Sequence, residues 1–300
     1  MRCLTPITLR NQNLSEQIKF GGRYRLVPCG KCEACIDTKR KEWLNRLKQE
    51  AKHAFSSYFI TLTYADYALP RNSLGYPCFS KRDVQLFMKR LRRDIERKCN
   101  DGFPINVRYF IISEYGSKFG RPHYHGILFN VPFDENETWR LVEKSWSNGR
   151  ISCTPCCPER IGYCANYMYG KSEHMPDLIA DDDNKIIMLS SRRPGIGSSY
   201  LTPDVISWHH DKLRNWYQDD NVKYALPRYW KDKIFDDIQK LAIFKENQKR
   251  IKEEELEELA ERLEWYQKYG YNVPTPTDQR KATLSKILIV LDLIVYFCEI

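Results

Sequence analysis

The residues best placed to do chemistry in this chain of 300 residues lie first in Arg121-Pro122-His123-Tyr124-His125-Gly126-Ile127-Leu128-Phe129-Asn130, which holds two of its six histidines. In an extended strand alternate residues share a face, so His123 and His125 project side by side while Tyr124 points away. Pro122 suits the first position of a strand, and Ile127, Leu128 and Phe129 carry that strand on through a core. A preceding strand, Asn106 to Ser113, ends at Glu114, and the turn through Gly116 and Gly120 predicts an antiparallel hairpin. Glu114 then lies across from the two imidazoles. Two histidines and one carboxylate fix a metal ion through three ligands and leave positions open for water or substrate.

A second group follows in Tyr163-Cys164-Ala165-Asn166-Tyr167-Met168-Tyr169-Gly170-Lys171. Residues four apart share a helix face, so Tyr163 and Tyr167 stack one turn apart, and Lys171 extends the line if the helix continues past Gly170. Together with the metal ligands they describe phosphoryl transfer to tyrosine. A phenol with a pKa near ~10 is a poor nucleophile at neutral pH. A divalent cation on the phosphodiester oxygens offsets the charge of the transition state, and a nearby lysine favours phenolate. Tyrosine attack breaks a DNA strand, leaves a free 3′-hydroxyl and retains the 5′ end covalently. A second tyrosine on the same face permits a second cleavage without release of the first end.

The elements that must position these groups are legible in outline. Tyr58 to Tyr64 is β-branched and aromatic, a strand with Thr61 and Thr63 on one face. Ile36 to Ala54 keeps helical spacing through Trp43, Leu44, Leu47 and Ala51. Ser80 with Asp83 marks a helix start, and Val84, Phe87, Met88, Leu91 and Ile95 form its apolar stripe. The rest of that helix is mostly basic, which points toward phosphate contact. Helices are expected at Glu135 to Trp146 and Pro158 to Gly170, with short strands at Arg150 to Cys153 and Ile186 to Leu189. Residues from Pro203 onward read as mostly helical, ending in a charged helix from about Asn247 to Tyr269. The run Ile287 to Cys298 is too short and, with Asp292, too polar for a membrane span. The first 28 residues read as irregular.

Composition narrows the class of partner. The chain carries a formal charge of +9 and 13% aromatic residues, enough for a real core and suited to a polyanion such as nucleic acid or an anionic membrane surface. Eleven cysteines, an odd number, with no basic-then-apolar opening segment, point to reduced thiols or metal ligands in a cytosol rather than to a disulfide framework. Cys29, Cys32 and Cys35 have the spacing of a zinc knuckle, and Cys3 can supply a fourth thiolate. Cys153, Cys156 and Cys157 read as loop thiols.

At these residues the sequence resembles the HUH endonuclease superfamily, and within it the replication initiators of small single-stranded DNA phages (Microviridae, gokushovirus-like). The strand motif matches Phe59-Ile60-Thr61-Leu62-Thr63; the histidine pair with an upstream acid matches Glu114, His123 and His125. The tyrosine motif matches Tyr163, Tyr167 and Lys171. The opening Pro28 to Cys35 and the run Arg193-Pro194-Gly195-Ile196-Gly197 also resemble that group. The resemblance covers roughly residues 25 to 230. It implies an α+β fold, a central antiparallel sheet of about five strands flanked by helices with the histidines on the central strand, followed by a helical C-terminal extension. The division implied is 1–35, a cysteine-containing segment; 36–230, the endonuclease domain; and 231–300, the extension. The resemblance further implies Mg²⁺ or Mn²⁺, single-stranded or supercoiled phage origin DNA as substrate, a host helicase and polymerase as partners, and the host cytoplasm as location. Asn166 departs from the pattern, which expects a basic residue between the tyrosines.

Three other readings compete. A plasmid relaxase or single-strand transposase shares the chemistry but not the substrate. A cupin-like oxygenase also uses two histidines and a carboxylate, but needs many short strands and less helix. A non-catalytic zinc and nucleic-acid-binding protein would not need Tyr163 and Tyr167.

Overall fold

The computed structural model describes residues 3–99, 106–116, 120–167, 186–219, 221–276 and 278. They form two compact units, residues 1–234 and 235–300.

The first unit begins with a small ribbon. Strand β1 (Ile7–Arg10) pairs antiparallel with β2 (Tyr24–Val27), and helix α1 (Leu14–Phe20) connects them, capped by the Asn13 side chain and ended by Gly21 in the left-handed region. The opening segment is therefore not irregular. Its strands are four residues long and leave Ile7, Leu9, Tyr24 and Leu26 exposed, so no alternation of burial is written into them.

Helix α2 (Glu33–His53) leads into β3 (Ser57–Tyr64), whose burial alternates strictly along its length. Helix α3 (Lys81–Lys98) starts where Ser80 accepts a hydrogen bond from the Asp83 backbone N–H. Then come β4 (Arg108–Tyr115), β5 (Pro122–Phe129), helix α4 (Glu135–Ser145), β6 (Gly149–Pro155), helix α5 (Pro158–Tyr167) and β7 (Met188–Ser190). Five strands form one antiparallel sheet in the order β6-β3-β5-β4-β7, so the histidine strand β5 is central, as expected.

Each face of the sheet has its own core. Tyr58, Ile60, Leu62, Tyr64, Tyr124 and Leu128 pack against α3 and α4 through Val84, Phe87, Leu91, Leu141 and Val142. On the other face Phe110, Ile112, Ile127 and Phe129 pack against Leu47 of α2 and Ile161 and Cys164 of α5. Helix α3 thus covers the face opposite His123 and His125. Several of its basic side chains are engaged locally: Arg90 donates to the Ser145 carbonyl at 2.9 Å, Arg92 to the Val107 carbonyl at 2.7 Å, and Lys98 pairs with Glu137. The phosphate contact expected from that basic stripe is not beside the histidines. It is α2, with Lys39, Arg40, Lys41, Lys48 and Lys52, that shares their face.

After β7, the turn Arg192 to Gly197 is fixed to α2. Arg46 donates to the Ile196 carbonyl at 3.0 Å, and its guanidinium lies between the Trp43 and Tyr229 rings. Gly197 has φ +77° and a Cβ there would come within 2.8 Å of the Arg46 carbonyl oxygen, so both the conformation and the close approach demand glycine. The unit closes with helix α6 (Pro203–Asp211), a two-stranded pairing of β8 (Trp216–Asp219) with β9 (Val222–Ala225), and helix α7 (Arg228–Ile234). The sequence pattern does not announce strands in this region. Trp230 is fully buried, stacked on Tyr200 and donating to the Gly197 carbonyl at 2.8 Å.

The second unit contains helix α8 (Asp237–Tyr269), longer than expected and opened by a capping box between Asp236 and Gln239. Its polar faces carry i,i+4 ion pairs such as Arg250–Glu254. No described helix is long and apolar enough to cross a membrane; the run Ile287 to Cys298 lies outside the described residues.

Candidate active site

The hairpin of β4 and β5 sets Glu114 directly opposite His123, while β3 on the other side sets Thr63 opposite His123 and Thr61 opposite His125. Glu114 lies within β4 rather than just past its end, one residue before its last. Its Oε2 lies 3.2 Å from His125 Nε2 and 3.8 Å from His123 Nε2, and the three side chains are largely buried. Their ligand atoms all fall within 4.8 Å of one another.

Both rings are oriented by their other nitrogen. His123 Nδ1 lies 3.1 Å from the Arg121 carbonyl. A carbonyl only accepts, so Nδ1 carries the proton and Nε2 presents its lone pair toward Glu114. His125 Nδ1 meets the Thr61 hydroxyl at 3.0 Å, which leaves its Nε2 turned to the same point. Phe59 stacks on the His125 ring with centroids 5.7 Å apart. A pair of imidazole nitrogens with lone pairs converging on a carboxylate oxygen is a donor set that fits a divalent cation. Glu114, His123 and His125 are the residues that would hold it.

Helix α5 lays its apolar side, Ile161, Cys164 and Ala165, into the core on this face. Tyr163 projects beside that stripe and its hydroxyl donates to Glu114 Oε2 at 3.2 Å and lies 3.3 Å from His125 Nε2. The structure therefore brings Tyr163 to the three ligands. Tyr167 closes the described part of α5, four residues on; Lys171 lies outside the described residues. Burial pushes the neighbouring Cys164 thiol well above its usual range, so it is a packing residue. Tyr124, on the reverse face, is buried and bonds Tyr64 and Ser80.

Arg160 is a residue the motifs do not single out. It sits three residues before Tyr163 on α5, donates to the Thr154 hydroxyl, and holds its guanidinium 5.1 Å from the Phe59 ring centroid. It is a basic residue on the tyrosine face, of the kind missing at Asn166. The i,i+3 spacing to Tyr163 is the signal that could have found it.

The second cluster lies on the ribbon. The Sγ atoms of Cys3, Cys29, Cys32 and Cys35 also fall within 4.8 Å of one another. The Thr5 hydroxyl and the backbone N–H groups of Lys31 and Cys32 donate to Cys29 Sγ and hold its pKa down to about 5, whereas burial pushes Cys35 up to about 12. Cys153 and Cys156 are likewise raised to about 12 by burial, consistent with unreactive loop thiols.

Residues 57–172 match the family model of the replication-associated protein ORF2, a span that contains Glu114, His123, His125, Tyr163, Tyr167 and Lys171. The chain is similar to the replication-associated protein ORF2 of Spiroplasma virus 4, at 26% identity over 79% of this chain and 84% of that protein. It is 26% identical to the replication-associated protein VP4 of Bdellovibrio phage phiMH2K, over 68% of this chain and 66% of the relative. For the replication-associated protein ORF4 of Chlamydia phage 1 the identity is again 26%, over 69% and 53%. No solved structure matches the chain. The resemblance carried by the strand, histidine and tyrosine motifs is thereby borne out: this chain is a relative of the replication-associated proteins of these phages.

Proposed function

We propose that the chain is a rolling-circle replication initiator that nicks single-stranded or supercoiled phage DNA at the origin, with Tyr163 as a nucleophile. The observation that carries the reading is the approach of the Tyr163 hydroxyl to Glu114 and His125, at 3.2 and 3.3 Å. A phenol packed against the candidate metal ligands has no structural need to be there. It has a chemical one.

In this reading the Tyr163 oxygen attacks the scissile phosphorus. A P–O bond to tyrosine forms, the P–O3′ bond breaks, and the departing 3′ oxygen takes a proton and becomes a free 3′-hydroxyl. The phenolic proton leaves toward Glu114 Oε2, the acceptor it already faces. A divalent cation held by Glu114, His123 and His125 would supply charge stabilisation to the phosphodiester. Imidazole ligation favours Mn²⁺ over Mg²⁺, and cellular supply selects between them. Arg160 offers a guanidinium to the phosphate from the turn before Tyr163. Tyr167, four residues on, provides the second nucleophile, and Lys171 favours its phenolate. Attack of the 3′-hydroxyl on the phosphotyrosine rejoins the strand. Residues 36–230 carry this activity, with 1–35 and 231–300 as its N- and C-terminal additions; a host helicase and polymerase in the host cytoplasm complete replication.

The test is a denaturing gel with a single-stranded origin oligonucleotide labelled at its 3′ end, in Mn²⁺ or Mg²⁺. Wild type is expected to carry the label covalently, and the Tyr163→Phe, Tyr167→Phe double variant to carry none. A wild-type protein without adduct, or an undiminished adduct in the double variant, overturns the reading.

A further inference from the structure

We infer that Cys3, Cys29, Cys32 and Cys35 form a structural Zn²⁺ site, and that the ion is what folds residues 3–31 into the β1–α1–β2 ribbon. Four sulfurs around one zinc at about 2.3 Å stand roughly 3.8 Å apart along the edges of the tetrahedron. Cys3 and Cys32 Sγ lie 3.7 Å apart, and the four sulfurs lie within 4.8 Å of one another. A disulfide requires about 2.05 Å, and none of these four cysteines is in one.

The fold delivers these sulfurs by two separate routes. Pairing of Ile7 with Val27 brings the start of the chain back beside the residues that follow β2, so Cys3 reaches Cys29 although the two are 26 positions apart. Cys32 caps α2 and Cys35 lies in its first turn. The Cys29 backbone N–H donates to Cys3 Sγ at 3.3 Å, and the N–H groups of Lys31 and Cys32 donate to Cys29 Sγ at 3.4 and 3.2 Å. Backbone donors converging on sulfur are the environment a metal-bound thiolate needs.

An independent observation is how little apolar burial holds the ribbon. Helix α1 buries no residue, and Leu4, Ile7, Leu9, Leu14, Ile18, Tyr24 and Leu26 are all exposed. A segment of this size without a hydrophobic core needs a covalent or metal staple to fold, and a tetrathiolate zinc supplies folding free energy directly. The surface so held carries Arg10, Lys19, Arg23, Arg25 and Lys31 against Glu16 alone.

The direction of α2 sets where the ribbon stands. Glu50 pairs with Arg108 at the start of β4, and Trp43 packs on Phe110 with ring centroids 5.0 Å apart. Moving toward its N-terminus, α2 therefore climbs β4 toward Glu114. Cys35 lies about 12 Å along the helix axis beyond Trp43, and Glu114 about 13 Å along the strand beyond Phe110. The zinc staple thus holds the ribbon at the end of the sheet that carries the candidate active site.

The experiment is metal analysis of the full-length chain, expressed with zinc and desalted, followed by limited proteolysis. One tightly held zinc per chain is expected, released by a mercurial reagent. The Cys29→Ser, Cys32→Ser variant is expected to lose that zinc and to be cleaved within residues 3–31, while the sheet domain resists protease as in wild type. Substoichiometric zinc with four reactive thiols overturns the proposal. So does an intact mass lowered by two hydrogens with Cys3 and Cys32 cross-linked, or zinc retained in the double variant. None of these readouts depends on DNA cleavage, so they stand or fall apart from the nicking reading.

Discussion

Glu50→Ala should be among the most destabilising single changes in the first unit. Glu50 and Arg108 are each about 7% exposed at the side chain, and every polar atom of the pair is engaged. The Glu50 carboxylate accepts from Arg108 Nε and Nη2 and from the Gly197 backbone N–H at 2.7 Å. Arg108 also donates to the Pro194 and Gly195 carbonyls, each at 2.9 Å. Removing the carboxylate leaves a buried guanidinium without its counter-charge and the Gly197 N–H without its acceptor. Breaking one side of a buried pair costs about 3–5 kcal/mol. For a folded unit of this size each kcal/mol moves the melting temperature by about 2–4 °C, so a fall of roughly 6–20 °C is expected. Circular dichroism melts with urea titrations measure it. The variant Glu50→Leu, Arg108→Met should lie well above the sum of the two single losses, because neither charge is then stranded. A Glu50→Ala melting point within about 2 °C of wild type would show that the pair is solvated in practice, and the argument from burial would fail.

Three further outcomes follow from the geometry. Thr61→Val removes the hydroxyl that orients His125 and should raise the Mn²⁺ concentration needed for half-maximal adduct by about 10–100-fold, with Thr61→Ser restoring it; an unchanged metal dependence in Thr61→Val refutes the orienting role. Gly126→Ala places a Cβ 2.6 Å from Ile111 Cγ1 and 2.8 Å from the Phe110 carbonyl oxygen, which forces β4 and β5 apart at a cost of about 1–3 kcal/mol; thermal melts and adduct yield should fall together, and an unchanged yield would mean the two strands separate without disturbing Glu114 and His123. His209 is fully buried, with Nδ1 donating to the Arg214 carbonyl and Nε2 against the Tyr200 hydroxyl, facing Arg214 and His210, and burial holds its pKa below the ordinary imidazole value. Its folded form resists a proton that the unfolded chain accepts, so its contribution is complete above about pH 6.5 and is lost as pH falls through that value toward the folded pKa; melts at about pH 7.5 and 5.5, either side of that value, should show a smaller acid loss in His209→Gln than in wild type, and equal losses refute it.

What the sequence made legible was whatever local periodicity encodes. Strand β3 alternates through every residue, so Thr61 and Thr63 could be set on one face, and the nine-residue spacing from Glu114 to His123 fits a hairpin. Periodicity reports that a helix has an apolar stripe but not which side of a sheet the stripe will cover. That is why the basic helix α3 looked like a phosphate-binding element while α2 and α5 took the site face. The short pairings β1–β2 and β8–β9 bury too little to leave a pattern. The Glu50–Arg108 pair joins residues 58 positions apart, and its role depends on the turn at Gly195 and Gly197, which only the folded chain brings there.

The central strand shows why register, more than composition, is the functional variable. Along β5 one face carries Tyr124 and Leu128 into the core beneath α3, and the other carries His123 and His125 and then Ile127 and Phe129. A slip of one residue exchanges the two sets: the imidazoles enter an apolar core and a tyrosine takes their place beside Glu114. The buried hydroxyl of Tyr124 opposes that slip, since it accepts from the Ser80 backbone N–H at 2.8 Å and meets Tyr64 Oη at 3.1 Å. Ser80 is also the cap of α3. The reverse face, which takes no part in the chemistry, therefore fixes the pairing that puts His123 opposite Glu114, and a change of Tyr124 to phenylalanine should loosen the metal ligands from a residue that cannot touch them.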